Sequence, residues 1–173
     1  ANRIRCGDIL VGMPSTGLHT NGYSLARRIV FEHLKLDVDS YVNDLKATVG
    51  ELLLAIHKSY LQEIKPHLHD RRLHGLAHIT GGGIPGNLKR IIPDGLSALV
   101  SYDLDEIPPL FRWLGESADL RLEEMRSAFN LGIGMIAVVD PGFVGDFMRD
   151  TNYLVLGEIE ESRPGFEKVM FIQ

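Results

Sequence analysis

Short apolar runs and helical stripes are intermixed along this chain. Residues 8–13 form an apolar run closed by Pro14, the mark of a buried strand. From Tyr23 onward, Ala26, Ile29, Val30 and Leu34 make an amphipathic stripe, and Thr20 or Asn21 is placed to cap its first turn. Residues 35–47 are polar and read as a loop. Thr48-Val49-Gly50-Glu51 has the capping-box form. Leu52, Leu53, Ile56, Tyr60, Leu61 and Ile64 then predict one long amphipathic helix ending near Pro66. Further strands are expected over 75–79, 96–102, 136–139, 153–159 and 168–172, the last two looking like a hairpin. Further helices are expected over 84–92, over 110–114 behind Pro108-Pro109, over 122–129 and over 141–150. The elements do not follow a strict β-α-β alternation. This predicts an α+β fold, a mixed β-sheet flanked by helices in three α/β/α layers.

Three loops interrupt the pattern with polar groups that a core does not need. The first, residues 14–22, holds Ser15, Thr16, Gly17, His19, Thr20, Asn21 and Gly22. The second is Thr80-Gly81-Gly82-Gly83 with Asn87 close behind, between an apolar run and a short helical pattern. The third runs from Asn130 to Gly134 and leads into a strand. Three glycines in a row bring no side chain and cost roughly 0.5–1 kcal/mol each relative to alanine in regular structure. They fit either a tight turn or a backbone that presents N–H groups to a phosphate. If the three loops converge at one sheet edge, they form a pocket for a polar, phosphate-bearing small molecule. His19 is then a candidate acid or base near neutral pH, because a free imidazole titrates at about 6.5. The alternative for His19 is a ring bonded within its own loop. His67, His69 and His74 surround Asp70-Arg71-Arg72, where two arginines disfavour a metal ion, so no metal ligands are assigned.

Composition narrows the picture. The 173 residues are 45% hydrophobic and 24% charged, enough for one domain with a substantial core. A net charge of −5 without a basic block argues against a nucleic-acid partner. The single cysteine, Cys6, excludes an intrachain disulfide. Nothing resembles a signal peptide or a membrane span, so a cytoplasmic location without a membrane partner is expected.

The same loops carry a resemblance. Residues 7–12, Gly-Asp-Ile-Leu-Val-Gly, followed by 14–25, Pro-Ser-Thr-Gly-Leu-His-Thr-Asn-Gly-Tyr-Ser-Leu, resemble a signature of the aminoimidazole ribonucleotide synthetases, or phosphoribosylformylglycinamidine cyclo-ligases. Residues 77–83 with Asn87, Arg90 and Pro93 resemble a second signature, and 107–114 with 123–135 a third. The resemblance covers nearly the whole chain but only the C-terminal half of the family's enzymes. It implies the C-terminal-domain fold of that superfamily, residues 1–173 being a single domain. It also implies a missing N-terminal half that binds most of the ATP and Mg2+ and forms the homodimer. The implied reaction closes an imidazole ring on formylglycinamidine ribonucleotide in purine biosynthesis, with this half inactive by itself. By resemblance His19 and Asn21 are catalytic candidates. Ser15, Thr16, Gly17, Thr80, Gly81, Gly82, Gly83, Asn87 and Asn130 are substrate- or phosphate-binding candidates.

Two departures stand out. Ile56-His57 occupies the place of the family's Pro-Thr pair, and Gly86 that of a frequent Glu. They leave two other readings open. One is a domain of a related ATP-using enzyme of the formylglycinamidine synthetase, selenophosphate synthetase or thiamine-phosphate kinase type. The other is a degenerate, non-catalytic binding module.

Overall fold

The computed structural model describes residues 3–172. In chain order the elements are β1 (Ile9–Pro14), α1 (Tyr23–Arg27), β2 (Tyr41–Val42), β3 (Ala47–Thr48), α2 (Val49–Leu53), α3 (Leu61–Ile64), β4 (Leu73–His78), α4 (Gly83–Leu88), β5 (Leu96–Ser101), α5 (Pro109–Ser117), α6 (Leu122–Ala128), β6 (Ile133–Val139), α7 (Val144–Phe147), β7 (Leu154–Glu161) and β8 (Val169–Ile172). Helix α1 continues as a π-helical turn over Arg28–His33. No helix among the described residues is long and apolar enough to cross a membrane.

Six strands form one mixed sheet in the order β4-β6-β1-β7-β5-β8, and β2 pairs with β3 in a small separate hairpin. Every pairing in the large sheet is antiparallel except β5 with β8. The expected terminal hairpin is therefore corrected: β7 and β8 are separated by β5, and β8 runs parallel to it. A parallel partner needs a longer return path than a tight turn, and the local sequence does not reveal which strand receives it.

Alternation along the strands splits the core in two. Leu10, Ile136, Val138 and Leu156 face the larger cluster with Ala26, Ile29, Val30, Ile84, Leu88, Phe111, Leu114 and Met125 from the helices. Val11, Met13, Ala137 and Val139 face the smaller one, with Ile64, Phe143, Phe147 and Tyr153. Helical segments cover both faces, giving the expected three layers.

The predicted helix over 52–64 is a second correction. It divides into α2 and α3, with residues 54–60 outside any helix. Leu53 is buried in the larger cluster, whereas Tyr60 and Ile64 are buried in the smaller one. The chain must pass from one face of the sheet to the other between them, and a straight helix cannot do that. The capping box at the start of α2 is present. Glu51 N–H donates to Thr48 Oγ1 (3.3 Å), and Thr48 N–H donates to Glu51 Oε2 (2.8 Å). The segment expected as a helix over 141–150 is shorter, a 3-10 turn (Pro141–Phe143) leading into α7.

Candidate functional site

The register of the sheet places all three polar loops at one end. Pro14 at the close of β1 lies opposite Ile133 at the start of β6, and His78 at the close of β4 lies opposite Met135. The loops are also tied to each other. Ser15 N–H donates to the Gly132 carbonyl (2.7 Å), and Ile79 N–H to that of Gly134 (2.9 Å). Asn21 Nδ2 donates to its neighbour His19's carbonyl (2.9 Å) and across to that of Ile79 (3.4 Å). At Gly83, φ is 59°, and a Cβ would run into the Arg126 carbonyl and stand 2.9 Å from that of Phe129. The third glycine is thus required by close approach to the end of α6.

Several candidate side chains are committed to this bracing. Buried Asn130 donates to the Gly17 carbonyl (2.8 Å), and its Oδ1 accepts from Gly132 N–H (2.8 Å) and Ser15 Oγ (3.1 Å). Buried Asn87 gathers the glycine loop. Its Nδ2 donates to the carbonyls of Gly83 (2.7 Å), Thr80 (3.0 Å) and Gly81 (3.3 Å), while its Oδ1 accepts from Thr80 Oγ1 (2.8 Å). Left facing solvent are Thr16, Thr20, Gly81 and Gly82. Among the described residues, the amides of Gly81 and Gly82 make no backbone hydrogen bond to another loop.

The loops are strained where they meet. His19 (φ 52°), Thr20 (φ 64°) and Leu131 (φ 52°) adopt left-handed backbone conformations without being glycine. Each costs of order 1 kcal/mol and persists only where its surroundings impose it.

Of the two readings open for His19, the structure shows the ring bonded within its own loop. Its side chain is buried, and Nε2 accepts from the amides of Thr16 (2.9 Å) and Lys58 (3.3 Å). The Thr16 hydroxyl stands 2.9 Å from the same nitrogen but gives its proton to the Ile56 carbonyl (2.5 Å). With Nε2 an acceptor, the proton of the neutral ring sits on Nδ1. That atom is buried without a hydrogen-bond partner among the described residues. It faces Gly134, where a Cβ would stand 2.8 Å from Nδ1 and run into the Tyr60 hydroxyl. Burial, with the neighbouring His57, His78 and Lys58, lowers the His19 pKa to about 4. The expected titration near neutrality is corrected: at pH 7 this imidazole is a neutral acceptor inside its loop.

Residues outside the expected set complete the site. The His57 ring stacks on His19, with centroids 4.2 Å apart and planes at 15°, and lies 5.5 Å from the His78 ring. Tyr60 Oη donates to the Pro14 carbonyl (2.8 Å), and Tyr23 Oη to that of Leu53. The apolar stripe absorbed Tyr60 in the sequence, and nothing local marked its hydroxyl. The loops converge but open onto different hollows. Ser15, Thr16 and Gly17 line a cavity of about 430 Å³ with residues 44–47, Glu51, Leu52, Ala55 and 108–111. Gly82 lines another, of about 350 Å³, with Pro85, Gly86, Lys89, Ser127 and residues 167–169. Among the described residues, no group of three His, Cys, Asp or Glu side chains is arranged to hold a metal ion.

Residues 5–167 match the family model described as AIR synthase related protein, C-terminal domain. A phosphoribosylformylglycinamidine cyclo-ligase of Geobacter sulfurreducens is 40% identical over 98% of this chain and 50% of its own length. One of Desulfatibacillum aliphaticivorans is 47% identical over 77% of this chain and 38% of its own length. The chain thus spans about half the length, or less, of these relatives. Among solved structures, the hydrogenase maturation protein HypE aligns over 92% of this chain and 46% of its own, with a TM-score of 0.58 at 16% identity. A thiamine monophosphate kinase from Aquifex aeolicus aligns over 97% of this chain and 51% of its own, with a TM-score of 0.57 at 15% identity. At such identities these structures speak to the fold alone.

Proposed function

Because this chain belongs to the AIR synthase related family as its C-terminal domain, we propose that it is the C-terminal half of an ATP-dependent phosphoribosylformylglycinamidine cyclo-ligase. The observation that carries this reading is the near end-to-end similarity to cyclo-ligases, coupled with polar loops gathered at one end of the sheet. In this reading an N-terminal half would hold most of the ATP and Mg2+; phosphoryl transfer to the formyl oxygen would let the amidine nitrogen bond to the formyl carbon, the oxygen leaving as phosphate beside ADP. The full-length enzyme is a homodimer, and the described half supplies one wall of the substrate site.

The residues divide by task. Gly81 and Gly82 offer exposed backbone at the mouth of the glycine loop, whereas the exposed Thr16 and Thr20 have hydroxyls that already donate to the Ile56 and His19 carbonyls. Ser15, Gly17, Thr80, Gly83, Asn87 and Asn130 hold those groups in place through the bonds described above. His19 and Asn21 act as positioning residues: the imidazole holds the Thr16 amide, and the amide group ties the loop to the end of β4.

The test is reconstitution. Fusing the N-terminal half of the Geobacter sulfurreducens relative ahead of this chain should give ATP-dependent ring closure, while the chain by itself should give none. A folded, substrate-binding fusion without turnover, or turnover by the chain alone, would overturn the reading. Within an active fusion, Gly81→Ala probes the glycine loop. A Cβ there meets nothing within 4 Å, so the fold is retained. Substrate affinity measured by calorimetry should drop at least about tenfold if phosphate rests on this backbone. Unchanged affinity would reduce the loop to a turn.

A further inference from the structure

Residues 54–59 run between the two cores and reach inward through backbone atoms and the His57 ring, and buried Tyr60 closes the segment. The Ile56 carbonyl accepts from Thr16 Oγ1, the Lys58 amide donates to His19 Nε2, and Tyr60 Oη reaches the Pro14 carbonyl. Leu54 and Ile56 meanwhile are 78% and 87% exposed. Ala55 lines the cavity at Ser15–Gly17, whereas His57–Leu61 line a separate hollow of about 410 Å³, so the segment is the partition between the two. Up to Tyr60, which is anchored in the smaller core, the segment has little apolar burial and is held mainly through a few polar attachments. His19 is central to these.

The charges around it are mostly of one sign. His57 is faced by His19 from the 14–22 loop and by His78 from β4. Its own segment adds Lys58 and Tyr60, with the lysine Nζ 5.2 Å from the tyrosine ring centroid. From α3 comes one carboxylate, Glu63, whose Oε1 is already paired with Lys58 Nζ at 2.9 Å.

We infer that residues 54–59 are an acid-released strap anchored at Tyr60: proton uptake by the His19 and His78 rings on either side of His57 detaches it from the 14–22 loop and opens the cavity at Ser15–Gly17. Two effects act in the same direction. Like charges on rings stacked at 4.2 Å repel each other. Protonation of His19 Nε2 also removes the acceptor shared by the Thr16 and Lys58 amides, leaving both without their partner. Burial and the surrounding cations oppose protonation of His19, and burial and His57 oppose that of His78, so release falls on the acid side of neutrality. The inference stands on the geometry of this segment and does not depend on the proposed reaction.

Hydrogen exchange followed by NMR tests it on the 173-residue chain. At about pH 4.5 the Thr16 and Lys58 amides, corrected for intrinsic rates, should be at least about tenfold less protected than Leu10 and Val11 in β1, and should have lost at least about tenfold of their own protection at about pH 7.5. His19→Gln and His19→Asn, which keep an acceptor in the loop without an imidazole to protonate, should reduce the loss to less than about threefold. Constant protection in the wild type, protection at about pH 4.5 equal to that of β1, or an undiminished loss in both variants would overturn the strap.

Discussion

His19 sits where loop geometry, burial and charge meet, and its consequences are measurable. Folding lowers its pKa from 6.5 to about 4, so the unfolded chain binds more protons than the folded one between those values. Stability is therefore full above about pH 6.5 and declines as pH falls toward 4, by up to about 3 kcal/mol. Urea unfolding across that range should show the decline, and His19→Gln should remove most of its slope. The glycine loop offers a second contrast. Gly83→Ala places a methyl against the Arg126 carbonyl in a left-handed conformation and should cost more than about 2 kcal/mol, whereas Gly81→Ala should change stability by less than about 0.5 kcal/mol. At this scale the sequence was only partly legible. The polar residues of the loops were visible, but not their division into braces and exposed groups. Asn130 and Thr16 look equivalent in a string, and only the fold buries one and exposes the other.

At the level of elements, most strands were legible because runs such as residues 8–13 and 136–139 are short, largely apolar and closed by a proline or an Asp-Pro turn. The segment 49–64 was not, because its stripe has helical spacing by coincidence. Leu53 and Tyr60 belong to different cores, and Ile56, which fitted the stripe, faces water. The same structure accounts for the Ile56-His57 departure. At Ile56 the inward contact is the carbonyl, which any side chain supplies, whereas the neighbouring His57 contributes its ring to the stack on His19. Ile56→Ala should therefore leave stability within about 0.5 kcal/mol. Asn130→Ala removes a buried clasp between two loops and should lower it by about 2–3 kcal/mol, read by denaturant titration.

Across the whole molecule, the two ends of the sheet carry separate duties. Opposite the polar loops, buried Asp8 takes a 2.7 Å contact from His74 Nδ1, with Arg5 N–H donating to the same carboxylate oxygen at 2.9 Å. The Arg5 guanidinium goes on to Asp140. His74→Ala leaves a buried carboxylate short of a partner and should cost about 3 kcal/mol in unfolding free energy, with no change in ligand affinity at the loops. The sequence only grouped His74 with His67 and His69 around Asp70-Arg71-Arg72, since its partner lies 66 positions away. Distance along the chain also hid the placement of β8, whose consequence is mechanical. This strand of four residues has a single neighbour, β5, at the rim of the sheet. A load drawn along β8 meets that four-pair edge attachment first. Peeling it away would leave five strands, all antiparallel, with the polar loops still assembled around β1, β4 and β6.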